Sequence, residues 1–342
     1  MNFLWLLLLT YTGPEPVPAV PTPASTWEVS YQLDRVLLRP NGESLMFRGL
    51  DVYTYDTSGN PIANFQQPFA PDLAFLGPKG SLWIHDGKGR LGRLNPEGGF
   101  LWQQEVPPPT IAPVIFGDEV VYVRDTLLEL RDPENGTARF STRRTERISA
   151  IKPWGENLLI AHENGEVLMW NPVKESKRIY HDKKKRVLAY VEAGPDGEWA
   201  LAYRGGHLAV LDKNRKLLWK RDFHIDIACP PVWLKVQTQN GLRTQLLITT
   251  QGRRLYAYSP RGHELAGLHL KGRPKALVPW SETSSLLIPS LAETIHFYDA
   301  LQRKFAKQSL SGYQTNVITA GSFLLLVGKG GIIRLYHRET NM

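Results

Sequence analysis

The sequence predicts an all-β fold, a ring of eight four-stranded antiparallel blades. Three observations carry this reading: a unit of about 40 residues recurs eight times, apolar positions within each unit alternate with period two, and tight polar turns separate the runs. One copy reads LLIAHENGEVLMWNPVKESKRIY from Leu158, a second ALAYRGGHLAVLDKNRKLLWKRD from Ala200, a third LLITTQGRRLYAYSPRGHELAGL from Leu246. Each gives an apolar strand, a Gly turn, an alternating strand, a second polar turn and an outer strand. The residue opening the second turn falls at Asp56, Asn95, Asp132, Asn171, Asp212, Ser259 and Asp299, with His337 in a degenerate last copy. The gaps are 39, 37, 39, 41, 47, 40 and 38. Four short strands at this period build one blade of a β-propeller, and the period-3.6 stripes of a helical solenoid are not evident. Many inner strands are apolar on both faces, as with Val167 and Met169 against Leu168 and Trp170, which suits a blade packed between two neighbours.

The elements follow in order. An orphan strand, TWEVSYQL over Thr26–Leu33, resembles the outer strands FLWQQE (Phe100–Glu105) and LLWKRD (Leu217–Asp222). The last copy lacks an outer strand after Tyr336, so the orphan is expected to complete blade 8 and close the ring, which removes exposed sheet edges. The alternative is a frayed strand outside the ring. Trp102 and Trp219 hold the same place in their outer strands, with Phe65, Phe140 and Phe305 nearby in others, and are expected to pack between neighbouring blades. The 47-residue gap holds PPVWLKVQTQNGLRTQLLITT, where Asn240-Gly241 is a hairpin signal. Blade 6 should therefore carry an inner hairpin projecting beyond its neighbours, either a partner contact or a tolerated surface insertion.

Residues 1–13 form an apolar segment, 14–25 a proline-rich spacer and 26–342 the single ring. The run Phe3–Leu9 is seven residues, too short for a bilayer, and fits the h-region of a secretory signal. Its n-region has no Lys or Arg, and no Cys follows it as a lipid anchor. Export to a bacterial envelope or periplasm is the expectation; an uncleaved short anchor, or a misplaced start and a cytoplasmic protein, are the alternatives. Cys229 is the lone cysteine, which excludes an internal disulfide and a cysteine metal cluster, and it falls in the loop entering blade 6.

Charge is lopsided. Residues 1–120 hold 7 Lys+Arg against 12 Asp+Glu, and residues 121–342 hold 34 against 21, so +13 and −5 give the total of +8. Strand alternation puts the turns between second and third strands on one rim, together with the loops that pass between blades. That rim collects Arg143, Arg144, Arg147, Lys183, Lys184, Lys185, Arg186, Arg204, Arg253, Lys271, Arg273 and Lys329, with fewer acids, among them Glu146, Glu163 and Glu293. A one-sided basic arc over blades 3–6 would attract an anionic partner. Charge runs such as DKKKR and TRRTER are equally the composition of solvated loops. Nucleic acid fits a basic surface, but no nucleic-acid motif is present and the start reads as an export signal.

No catalytic constellation is recognised. The nine histidines show no H-x-x-x-H or H-x-H spacing, and no G-x-S-x-G, phosphate loop or dinucleotide fingerprint occurs. His85, His162 and His207 share a place near the turn between second and third strands; they either line the channel mouth or satisfy local turn hydrogen bonds.

The motif G-x-L-x-x-L-[DN]-x-x-x-x-x-L-W, present as GHLAVLDKNRKLLW (Gly206–Trp219) and GRLGRLNPEGGFLW (Gly89–Trp102), resembles the repeat of the pyrroloquinoline-quinone (PQQ) propellers over residues 26–340. That resemblance implies the eight-bladed fold and two kinds of function. Quinoprotein dehydrogenases of the family bind PQQ and usually Ca²⁺, and many carry an adjacent Cys pair that this chain lacks. The other branch is similar in size to this chain and looks like the BamB-type scaffold of outer-membrane β-barrel assembly, although that family carries a lipid-anchoring Cys and this chain has none. The reading is a non-catalytic interaction scaffold with no cofactor, a monomeric ring with no transmembrane span. Its partner would be a protein with an acidic surface, in or near a membrane-associated assembly. A small quinoprotein dehydrogenase or other propeller enzyme is the alternative.

Overall fold

A computed structural model describes residues 21–173, 176–238, 241–280, 284–310 and 314–338. These form eight four-stranded antiparallel sheets arranged as the blades of a β-propeller. Among the described residues the only helix is a single 3₁₀ turn at Pro78–Gly80, and no helix is long and apolar enough to cross a membrane. The apolar segment 1–13 and the spacer as far as residue 20 lie outside the described residues.

Burial grades outward within each blade. The second and third strands are the core, as in Trp199–Tyr203 and His207–Leu211 of blade 5, whereas the outer strand Leu217–Asp222 is largely exposed. Apolar side chains on both faces of the middle strands pack into both neighbours. Leu201 and Leu211 meet Leu159 and Val167 of blade 4, while Ala202 and Val210 meet Leu246 and Ile248 of blade 6.

The repeat marker has a local cause. Each Asp, Asn or Ser marker side chain accepts backbone N–H bonds from the turn it opens: Asp56 from Ser58 and Asn60, Asp132 from Glu134, Asp212 from Asn214 and Lys216, Asp299 from Leu301 and Gln302. A short carboxylate or amide two residues upstream suits this turn, which is why the marker is nearly always Asp or Asn.

The outer-strand tryptophans lock blade to blade. Trp102 stands edge-on to Trp83 at 4.7 Å and donates its indole N–H to the Pro133 carbonyl of blade 3. Trp219 does the same to Pro260 of blade 6. Each ring lies on a glycine of that turn. A Cβ on Gly136 would come within 2.4 Å of Trp102, and one on Gly262 within 2.7 Å of Trp219, at φ of +73° and +83°. Glycine there serves both the left-handed turn and the close approach.

Ring closure uses the same device. The N-terminal strand pairs with the third strand of blade 8, Ser25 opposite Leu335 through Glu28 opposite Ile332. Trp27 then packs on Gly59 of blade 1, whose Cβ would sit 2.6 Å from the indole. The strand spans Ser25–Glu28, shorter than the expected Thr26–Leu33 and starting one residue earlier. The Val29 N–H still bonds to the Gly331 carbonyl, after which the chain crosses the rim and Asp34 enters blade 1 through the Phe47 carbonyl.

One blade boundary is ionic. In the third strand of blade 3, Glu129 and Arg131 point into the contact with blade 2, each with a side chain only 7% exposed. Glu129 accepts from Arg131 at 2.6 Å and from Arg124 at 2.8 Å, and Arg131 also donates to the Gly136 carbonyl and lies over the Tyr122 ring. The inner hairpin of blade 6 pairs Val232–Thr238 with Gly241–Thr250, its tightest pair being Thr238 with Gly241 at φ +99°. Asn240 lies outside the described residues.

Candidate functional site

The rim that carries the turns between second and third strands is stitched by backbone hydrogen bonds to the loops between blades. Glu163 donates to Arg147, Arg204 to Val187, Leu270 to Arg253 and Leu291 to Arg273. These bonds bring the basic segments onto one face and fix their spacing.

The cations differ in what they meet. Arg147 is paired with Asp125, and Arg186 makes two 2.8 Å bonds to Asp182 that hold this carboxyl below the usual carboxylate range. Arg144 stacks over Trp170, donates to Ser176, and is pushed down from the usual guanidinium value by burial. Arg143, Lys183, Lys184, Lys185, Arg204, Arg253, Lys271 and Arg273 are exposed and have no carboxylate partner among the described residues. With Arg147 paired and Glu146 and Glu163 close by, the unpaired charge concentrates in two clusters. One is the blade 4–5 loop with the Arg204 turn; the other is the blade 6–7 loop with the Arg253 turn. Between them lies the blade 5–6 loop with Asp222 and Asp226. Asp222 faces His207 at 2.8 Å and His224 at 3.4 Å, and Asp226 accepts the Gly205 N–H. Lys275, exposed beside Lys271 and Arg273, extends the second cluster; its place in a loop between blades was readable from strand alternation alone.

Of the three histidines, His85 bonds its own turn, while His207 meets a carboxylate on the neighbouring strand. His85 is fully buried, donates to the Val106 carbonyl at 2.8 Å and accepts the Gly87 N–H. His207 sits against Asp222. His162 is buried without a hydrogen bond to its ring among the described residues; its nearest carboxylate oxygen, on Glu166, is 3.6 Å away, and burial lowers its pKa. Cys229 is buried in the loop entering blade 6, its thiol 2.9 Å from the Thr249 hydroxyl and pushed up to about 11 by burial. Among the described residues no three His, Cys, Asp or Glu side chains are grouped to hold a metal ion.

Sequence periodicity gave no sign of His296. It is fully buried in the third strand of blade 7, stacked on Phe305, and its Nε2 accepts the Lys271 N–H at 3.0 Å, anchoring the blade 6–7 loop. Burial, with Lys271 and Lys307 nearby, pushes its pKa down to about 4. The unfolded chain takes up this proton near pH 6.5 and the folded chain only near pH 4. The neutral ring thus contributes stability in full above pH 6.5, and this is lost as pH falls toward 4. Denaturant midpoints measured between pH 7 and 4 should fall more steeply for the native chain than for His296→Gln.

These features define a β-propeller whose distinguishing surface is one basic rim. No protein-family model matches the sequence, and no characterised protein matches it by sequence. Solved structures do match. BamB from Moraxella catarrhalis is 14% identical with a TM-score of 0.66, covering 93% of this chain and 100% of that one. Sqt1 of Saccharomyces cerevisiae is 10% identical with a TM-score of 0.67, over 93% and 99% of the two chains. The dihydro-heme d1 dehydrogenase NirN, solved with DHE, is 14% identical with a TM-score of 0.66, over 96% of this chain and 79% of that one. At these identities the likeness is one of fold.

Proposed function

We propose that this chain is a non-catalytic interaction scaffold of the bacterial envelope whose basic rim docks an acidic protein partner. The observation that carries the reading is the set of exposed, unpaired cations fixed on one face of a closed ring by backbone hydrogen bonds between turns and loops. Rigid mounting spares the surface an ordering cost on binding, and a single-sign patch speeds encounter. The apolar start of the sequence supports export, and the fold shared with BamB supports a scaffold. The fold shared with the dehydrogenase NirN is compatible with an enzyme.

The test reverses Lys183, Lys184 and Lys185 to Glu together. These three side chains are exposed, so the ring is expected to keep its melting temperature. Recovery of crosslinked envelope proteins should drop by about tenfold at low salt and converge with the native chain at high salt, where surface charges are screened. Equal recovery at low salt would reduce the rim to a solvated surface. Turnover of a dye acceptor after loading with PQQ and Ca²⁺ would overturn the non-catalytic reading.

A further inference from the structure

Grooves open onto the basic rim at several places, and their charges differ. Between blade 2 and its exit loop, Lys88 and Arg90 are offset by Asp86 and Glu105. Between blade 8 and its exit loop, the groove is lined by both Lys329 and Glu28. The groove between blades 4 and 5 is unlike these: Lys184, Arg186, Lys220 and Arg221 face the single carboxylate of Asp222. Arg186 is committed to Asp182 and Arg221 to Glu264, which leaves Lys184 and Lys220 without a carboxylate partner among the described residues.

The groove also holds an orphan donor. Tyr203 ends the second strand of blade 5 at the rim, is 1% exposed, and its hydroxyl has no hydrogen-bond partner among the described residues. Burial raises its pKa, so it stays a phenol and a donor. The hydroxyls of Tyr298 and Tyr336 are also unpartnered, but the third strand carries both toward the opposite rim. A buried donor without an acceptor is costly, and a carboxylate entering the groove that Lys184 and Lys220 also line would satisfy it.

We propose that the groove between blades 4 and 5 is the specific seat for an extended acidic segment of the partner. One carboxylate of that segment accepts from the Tyr203 hydroxyl and is flanked by Lys184 and Lys220. This deepens the scaffold reading and rests on it. A peptide suits the site better than a nucleic-acid backbone. The floor is built from Tyr180, Leu208 and Ala209, which accept side chains, whereas Asp222 and Asp226 interrupt any continuous phosphate track along the rim.

The test uses the full chain and a fluorescein-labelled octaglutamate peptide read by fluorescence anisotropy. Lys220→Glu should weaken binding by about tenfold or more, and Tyr203→Phe by about tenfold, the worth of a hydrogen bond to a charged group. Tyr203→Phe should also leave the melting temperature unchanged or raised, because an unsatisfied hydroxyl is removed. Lys213→Glu, in a turn on the opposite rim, should leave affinity unchanged. Equal affinity in the native chain, Lys220→Glu and Tyr203→Phe overturns the groove, as does tighter binding of an oligonucleotide of equal charge. Equal affinity leaves the scaffold reading intact, since that reading stands or falls on partner capture after reversal of Lys183–Lys185, whereas tighter oligonucleotide binding would count against a protein partner as well.

Discussion

Trp27→Ala is expected to destabilise the folded ring by about 3 kcal/mol, and to open blade 8 before any other blade. The N-terminal strand is held to the third strand of blade 8 by only four paired residues, and no local loop joins these two strands: they come from opposite ends of the chain. Most of its anchorage is the indole, which packs on Gly59 and stacks with Tyr55 at 6.3 Å. Its N–H has no partner, because Ser25 takes the Thr57 carbonyl that corresponds to those bound by Trp102 and Trp219. The indole therefore contributes to closure by packing alone. Hydrogen exchange checks the order of events: amides of Ile332–His337 should lose protection first in Trp27→Ala. Trp219→Ala, between blades 5 and 6, each built from one continuous stretch of chain, should lower stability without selective opening of blade 8. Uniform exchange in both variants would show that closure is no weaker than any other boundary.

The residues that announced the fold are those the repeat forces to be alike. Marker Asp and Asn residues are alike because each caps the same turn with its own carboxylate or amide. Trp102 and Trp219 are alike because each fills the same gap over a glycine of the next blade. Closure by the N-terminal strand was legible for the same reason, although its length was not. Alternation runs on past Glu28, while the ladder ends where the Val29 N–H meets Gly331 at the rim. The basic rim was legible as a set of loop positions. What each cation meets was not: nothing in the run DKKKR says that its Arg186 is neutralised by its own Asp182 four residues earlier while the lysines stay free. Nor does strand alternation reveal Tyr203, which reads as one more core aromatic until the charges converging on its groove are seen.

Glu129→Ala is expected to cost about 3–5 kcal/mol, the largest effect of any single substitution considered, because it leaves the Arg131 guanidinium buried without its counter-ion. In sequence, LLELRD looks like an ordinary half-exposed strand, Glu129 and Arg131 alternating with Leu128 and Leu130. In a blade both faces are covered, so the polar face is buried against blade 2. The same positions in blade 5 are Ala209 and Leu211, counted from the marker Asp212. That comparison supplies the decisive variant. Glu129→Ala combined with Arg131→Leu should recover most of the loss, since exchanging a buried ion pair for well-packed apolar groups is often neutral or stabilising, and Arg124, 27% exposed, can turn to water. Denaturant midpoints of the two single variants and the double variant form a double-mutant cycle. Costs that simply add would mean the two side chains are not coupled within the strand. Recovery in the double variant would mean that the pair contributes specificity of blade contact rather than net stability, and that Arg131 is retained in a place blades 2 and 5 fill with leucine, and the others with tyrosine or tryptophan, only because Glu129 is beside it.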